Sequence, residues 1–261
     1  MFGPNHIGSM PIPTLFRQGS VSGAGGAPFS NRYALELDGV DQFIRFGNPA
    51  LDPLTISLNN TTTEGTLSFW VYLDNLTGNH YIYEKGVDGN NNFRLFHNGS
   101  YLYLSGSYLG SITVFNYYAG VVSAATWHMI TITYTTATTT PIVRLYVDGS
   151  LAVATFSFPV GTTNGLDPGG KGGFAKTYAS PTYSQQIVDE IAVWDTALSA
   201  AEILELYTYH DLATDSGNYT SSADLLRWWR LEDNRSEETG NGADLDLANS
   251  PSYVTNVPFS S

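Results

Sequence analysis

The side chains that could do chemistry in this sequence are scattered carboxylates, five histidines and a cluster of tyrosines. Retaining glycoside hydrolysis needs two carboxylates about 5 Å apart on one strand face. Glu36 and Asp38 alternate correctly for that, but the next acid, Asp41, falls inside an Asp-Gly-Val-Asp turn. Glu232-Asp233 and Glu237-Glu238 sit in a Gly/Asn/Ser-rich tail, so neither set fits. Asp88-Gly-Asn-Asn-Asn92 starts like a calcium loop, yet Phe93 stands where such a loop needs glycine and Gly99 where it needs glutamate, which leaves a solvated hairpin turn. His6, His80, His97, His128 and His210 show no metal-type spacing, and there is no Gly-x-Ser-x-Gly or Gly-x-Gly-x-x-Gly element. The tyrosines are different, because a ring face offers an apolar platform to the C–H face of a pyranose. Tyr101, Tyr103, Tyr108, Tyr117 and Tyr118 lie close in sequence, and strand alternation puts Tyr101 and Tyr103 on one face, either core or surface.

The elements that must position these groups are strands. Ala34-Leu-Glu-Leu-Asp38 and Gln42-Phe-Ile-Arg-Phe46 flank a Gly39 turn, and Thr66-Leu-Ser-Phe-Trp-Val-Tyr-Leu73 is a longer apolar and aromatic run. Further strands are predicted over 81–84, 92–96, 101–104, 127–134, 142–147 and 151–156, with Asn98-Gly99 and Asp148-Gly149 as hairpin turns. Residues 161–176 and 116–125 read as loops, the first too glycine-rich for regular structure. Gln186-Ile-Val-Asp-Glu-Ile-Ala-Val-Trp194 is a strand running into a helix over about 199–209, because Ser199 and Glu202 form a capping box ahead of Ile203, Leu206 and Tyr207. Many short strands and one helix predict an all-β antiparallel sandwich.

Composition agrees. Apolar residues make up 42% of 261, aromatics 13%, and charged residues only 13%, so the polar surface comes from Thr, Ser, Asn and Gly. A net charge of −13 repels phosphate backbones and argues against nucleic-acid binding. Cysteine is absent, which excludes disulfides and thiolate metal sites. No basic stretch followed by an apolar run opens the chain and no spanning segment is present, so neither a signal peptide nor a membrane partner is expected. The Asn-x-Ser/Thr sequons at Asn59, Asn60, Asn75, Asn98, Asn218 and Asn234 are then by-products of Asn/Thr richness. Residues 1–32, with Pro4, Pro11, Pro13, Pro28 and a Gly-rich run over 19–26, have no periodic apolar pattern. They read as a disordered tail or as an extended arm that buries Phe2, Ile7, Leu15 and Phe16 against a neighbouring subunit.

The ordered series of segments resembles laminin-G-like, concanavalin A-like jelly-roll domains. It comprises 34–46, Thr66-Leu-Ser-Phe-Trp-Val71, Ile82-Tyr-Glu-Lys-Gly86, Trp127–Tyr134, Val143–Val153 and the strand–helix unit ending at Tyr207. Leu225-Leu-Arg-Trp-Trp-Arg-Leu-Glu-Asp233 and Glu238–Leu247 are similar to a segment of such domains in bacteriophage particles, especially marine ones. The resemblance implies a jelly-roll sandwich over 33–261, with two added strands at about 225–232 and 244–254. It also implies a structural calcium held by Asp189 with Asp38 or Asp41. Related laminarinase-type glucanases use a Glu-x-Asp-x-x-Glu strand, which this chain lacks. The preferred expectation is a non-enzymatic surface protein of a phage or viral particle, made in the host cytoplasm. Its arm would contact other virion proteins or further copies in a homo-oligomer. The alternative is a carbohydrate-binding lectin module that attaches to host glycans. Trp228-Trp229 would put one ring inward and at most one at the surface.

Overall fold

Alternating apolar residues decide which face of each strand is buried, and the computed structural model shows how those faces meet. It describes residues 31–46, 64–88, 91–108, 111–119, 122–135, 142–152, 156–157, 171–177, 182–240 and 244–259. In chain order the strands are β1 (Ala34–Asp38), β2 (Phe43–Arg45), β3 (Glu64–Tyr72), β4 (His80–Asp88), β5 (Asn91–His97), β6 (Tyr101–Tyr108), β7 (Ser111–Ala119) and β8 (Trp127–Thr135). They continue with β9 (Ile142–Val147), β10 (Ser150–Leu151), β11 (Phe156–Ser157), β12 (Lys171–Phe174) and β13 (Gln185–Trp194). The helix α1 (Ala200–Thr208) precedes β14 (Leu225–Trp229), β15 (Asp246–Ala248) and β16 (Ser252–Val254). The first sheet has the order β10-β9-β8-β3-β13-β1-β16, with β11 on β9 and β14 on β13. The second has the order β15-β2-β12-β4-β5-β6-β7.

Inward residues of both sheets form one core. Leu67, Phe69, Ile130, Ile132, Val188 and Ile191 of the first sheet face Ile44, Phe93, Leu95, Leu102, Leu104 and Phe174 of the second, all buried. The outer face of the first sheet is covered as well. Trp70, Met129, Tyr146 and Trp194 pack beneath Ile203 and Leu206 of α1, with Tyr219 and Trp228 beside them. The Ser199–Glu202 capping box is present, and Tyr207 stacks on Trp70 at 5.6 Å. The second sheet carries no helix on its outer face among the described residues. No described helix is long and apolar enough to cross a membrane.

Three expectations need correction. Residues 111–119, part of which read as loop, form β7, which is paired along its length with β6. The Lys171–Phe174 end of the glycine-rich loop is a strand, β12, wedged between β2 and β4. Glycine is used there because a Cβ on Gly173 would collide with the Ile44 carbonyl oxygen. The 244–254 strand is two strands: Asn249 (φ 59°) and Ser250 (φ 55°) turn the chain from β15 in the second sheet to β16 in the first. The turn is tied to the β1–β2 corner by the Asn249 side-chain amide, which donates to the Asp41 carbonyl at 2.9 Å. Trp229 lies in the inter-sheet core and Trp228 under the α1 layer, so neither is a surface ring.

Candidate functional site

Register across the second sheet assembles an aromatic row on its outer face, which carries no helix among the described residues. Tyr81 of β4 pairs with Phe96 of β5, Phe96 with Tyr103 of β6, and Tyr103 with Tyr117 of β7. A register break between Tyr81 and Tyr83 lets Ile82 and Tyr83 both join the core while Tyr81 stays outside. Phe96 stacks on Tyr103 at 4.8 Å and 8°, and on Tyr81 at 5.7 Å and 28°. Its faces are thus turned to its neighbours, and the row presents ring edges. Tyr101 departs from this pattern. Its ring stands at 85° to Tyr103, 6.2 Å away, and the residue is 37% exposed. The Asn98 turn fixes this end: its Oδ1 accepts from Ser100 N and Tyr101 N, and its Nδ2 donates to Tyr103 Oη at 3.1 Å.

Of the five tyrosines picked out by sequence, Tyr101 and Tyr103 belong to this face, and register aligns Tyr117 with them. Tyr118 instead pairs with Leu102, a core residue, and Tyr108 pairs with Ser111 at the hairpin end. The side chains of Tyr108, Tyr117 and Tyr118 lie outside the described residues.

At the other side of the same face, Phe43 and Arg45 of β2 meet Lys176 and Tyr183. Lys176 Nζ sits 4.1 Å above the Phe43 ring and Arg45 Cζ 5.1 Å from its centroid. Tyr183 is 6.0 Å from Phe43, and the adjacent Ser184 Oγ accepts from Tyr81 N at 2.7 Å, joining this corner to the aromatic row. Arg45 pairs with Asp246 at 2.8 Å, and Arg94 with Glu84 at 3.1 Å in the next row of the sheet. From β2 to β6 is four strand steps, roughly 19 Å. Sequence missed Phe43, Arg45, Tyr81, Phe96, Lys176 and Tyr183, because only non-local pairing brings them together.

The acids proposed for calcium lie apart. Asp38 pairs with Gln185 and Asp189 sits four residues further along β13, roughly 13 Å away. Asp38 is exposed and caps its own turn, its Oδ1 accepting from Val40 N at 2.9 Å and, at 3.4 Å, from Asp41 N and Gln42 N; these bonds hold its pKa low. Asp41 lies exposed in that turn. Asp189 is buried with Glu190, accepting from Asn31 Nδ2 at 2.8 Å and from Glu190 N at 2.9 Å. Glu190 accepts from Trp228 Nε1 and lies 3.5 Å from Arg230 Nε. Calcium takes six to eight oxygens, and no group of three or more His, Asp or Glu suited to a metal exists among the described residues. These three positions therefore do not form one donor set. Glu190 also lines a small cavity with Ser68, Trp70, His210 and Phe259; about 20 Å³ of it admits a water centre, room for about one water and none for a sugar.

A Ser–His–Asp array also occurs. His128 Nδ1 is 2.7 Å from Asp148 Oδ2, and Nε2 is 3.1 Å from Ser123 Oγ. However, Ser123 N donates to the same Nε2 at 2.9 Å. That amide occupies the lone pair a general base needs. Asp148 Oδ1 also accepts from Met129 N, so the array clamps the β9–β10 turn (Asp148, φ 50°) against β8.

Comparison with solved structures places this fold among known ones. The chain superposes on a Bacteroides ovatus protein provisionally named a carbohydrate-binding protein, with TM-score 0.56 and 15% identity, over 89% of this chain. It spans 62% of that protein's length. A heptameric pentraxin from Limulus polyphemus aligns over 85% of this chain and 96% of its own, with TM-score 0.49 and 12% identity. A sialidase carbohydrate-binding domain from Ruminococcus gnavus, solved with sialyllactose, aligns over 69% and 100%, with TM-score 0.46 and 13% identity. No curated protein matches in sequence. The model of the Concanavalin A-like lectin/glucanases superfamily matches residues 38–204. On that match, and on the two antiparallel sheets described above, the chain belongs to the concanavalin A-like lectin/glucanases superfamily.

Proposed function

We propose that this chain is a non-enzymatic glycan-binding module whose ligand lies across the outer face of the second sheet. One observation carries the reading: an aromatic row, Tyr81–Phe96–Tyr103, crosses the outer face of the second sheet and ends at an exposed ring, Tyr101, set nearly at right angles to it. Stacked rings consume each other's faces, so the row supplies a rigid apolar floor. Tyr101, 37% exposed, supplies ring surface that a pyranose can reach. The carbohydrate-binding name of the Bacteroides ovatus protein is in keeping with this reading. A particle-surface role rests on the resemblance of residues 225–247, on the N-terminal arm, on the missing signal and on the missing catalytic motif; residues 1–30 of the 1–32 arm lie outside the described residues.

The test is a glycan array followed by titration of the hits. Tyr101→Ala is expected to weaken binding about tenfold, the size of one aromatic contact, with no change in thermal unfolding. Unchanged affinity in Tyr101→Ala, or a full-length protein silent on every glycan, would sink the proposal.

A further inference from the structure

We propose that Asn98-Gly99 is a self-modification site, at which groups of the β5–β6 hairpin convert the Asn98 carboxamide, through a five-membered succinimide, into aspartate and isoaspartate. The reaction needs a base for the Gly99 N–H, donors for the oxygen that gains charge, and an unhindered nitrogen beside the Asn98 Cγ. The turn supplies each of them. Gly99 N donates to His97 Nδ1 at 3.0 Å, so an imidazole lone pair already holds the proton that must leave. Burial, and then the charge of His80 opposite it on β4, lower the His97 pKa, which keeps that ring neutral in neutral solution. Asn98 Oδ1 accepts from Ser100 N at 3.1 Å and from Tyr101 N at 3.0 Å, two backbone donors placed as in an oxyanion hole. Asn98 Nδ2 donates to Tyr103 Oη at 3.1 Å, which fixes the carboxamide in this pose. Gly99 has φ 91° and brings no side chain to its nitrogen; a Cβ there would lie 3.3 Å from the Leu76 carbonyl oxygen.

Water is the sole co-reactant. His97 Nδ1 takes the Gly99 proton as the bond from Gly99 N to Asn98 Cγ forms, and the negative charge falls on Oδ1 between the Ser100 and Tyr101 amides. Collapse breaks the Cγ–Nδ2 bond; the proton returns from His97 through solvent, and Nδ2 leaves as ammonia. Gly99 and Ser100 are exposed, so water reaches the succinimide ring. Its attack at Cγ gives aspartate at position 98, and its attack at the main-chain carbonyl carbon gives isoaspartate. Either product loses the amide that donates to Tyr103 Oη and sets a carboxylate next to Tyr101. Isoaspartate also lengthens the main chain by one carbon within the turn. The modification therefore reshapes the exposed end of the aromatic row, while its chemistry needs the turn alone and is independent of any glycan.

The test ages the full-length protein in neutral buffer, native and in urea, and follows asparagine, aspartate and isoaspartate at position 98 by peptide mass spectrometry. Asn164-Gly165 and Asn241-Gly242 are the same dipeptide and serve as internal references. In urea the three sites are expected to convert alike, which fixes the unassisted rate. Asn98 should convert about tenfold faster in the native chain than in urea, because only the folded turn holds the base and the two donors in place. His97→Gln leaves an amide oxygen that can still accept from Gly99 N but is no base. With its unfolding temperature measured alongside, this variant should convert at about the rate seen in urea. The native-to-urea ratio needs no substitution, so a His97→Gln chain that fails to fold leaves the test intact. A native rate at or below the rate in urea would overturn the proposal, since the hairpin would then protect the carboxamide. A folded His97→Gln chain converting as fast as wild type would overturn it as well.

Discussion

Glu190 shows how a single residue can hold structure at the expense of pH tolerance. It sits at φ 48°, where the register of β13 against β3 breaks between Asp189 and Ala192. A left-handed conformation at a non-glycine residue costs about 1–2 kcal/mol and persists only when its surroundings fix it. Here Trp228 Nε1, Arg230 and Asn31 all point donors at the carboxylate. Burial still wins, pushing the Glu190 carboxyl up to about 8 against the pull of Arg230 and Trp228. Asp189 is pushed up too, by burial and by the Glu190 charge. The sign follows from linkage. A carboxyl raised from 4.5 to about 8 contributes stability fully present below 4.5 and lost as pH rises through 8. His210, which burial lowers from 6.5 to about 4, works the other way: its contribution is present above 6.5 and lost as pH falls through 4. Between 4.5 and 6.5 the two oppose each other, and above 6.5 only the carboxyls act. The unfolding temperature should therefore fall most steeply between pH 6.5 and 8, and Glu190→Gln should flatten that fall. A wild-type curve level or rising across that window would contradict the assignment.

At the scale of elements, α1 depends on its cap. Ser199 Oγ accepts from Glu202 N at 3.3 Å and Glu202 Oε2 accepts from Ser199 N at 2.9 Å. Glu202 Oε1 also accepts from Ser221 Oγ at 2.6 Å, so this carboxylate ties the helix to the segment leading into β14. Ser199→Ala should lower stability by about 1 kcal/mol in denaturant unfolding. Glu202→Ala should cost more, because it strands the Ser221 hydroxyl as well; equal losses would show that the second tie carries nothing. This helix was legible in sequence because a capping box is local. So were β1, β3 and β8, whose alternation is set within a few residues. Strand β12 was not, since two glycines carry no strand propensity and the pairing comes from β2 and β4 on either side. The candidate face was half legible: Tyr101 and Tyr103 share a face by period two. That this face is the outer one, and that Phe96, Tyr81, Phe43 and Lys176 join it, depends on a register break and on pairing across strands far apart in sequence.

For the whole molecule, the residues after α1 close the sandwich and are not an appendage. β14 adds to β13, β15 extends the second sheet beyond β2, and β16 extends the first beyond β1. The β15–β16 turn thus repeats the crossing between sheets that β1 and β2 make, and the two crossings are tied side by side through Asn249 and Asp41. Trp229 of β14 reaches into the core against Phe46 at 5.4 Å, next to the second sheet's aromatic packing. The Arg45–Asp246 pair, at 2.8 Å, adds a side-chain tie between β2 and β15 to their backbone pairing. Removing β14–β16 would expose the Trp229 side of the core and leave β1 and β2 as open edges. A chain ending at Asp224 should therefore lose cooperative unfolding. Trp229→Ala, which keeps every strand, should still unfold cooperatively but be about 3–5 kcal/mol less stable. Both are read by denaturant unfolding followed through tryptophan fluorescence and circular dichroism. A truncated chain that unfolds cooperatively near the wild-type midpoint would mean that the sandwich is complete without its C-terminal strands.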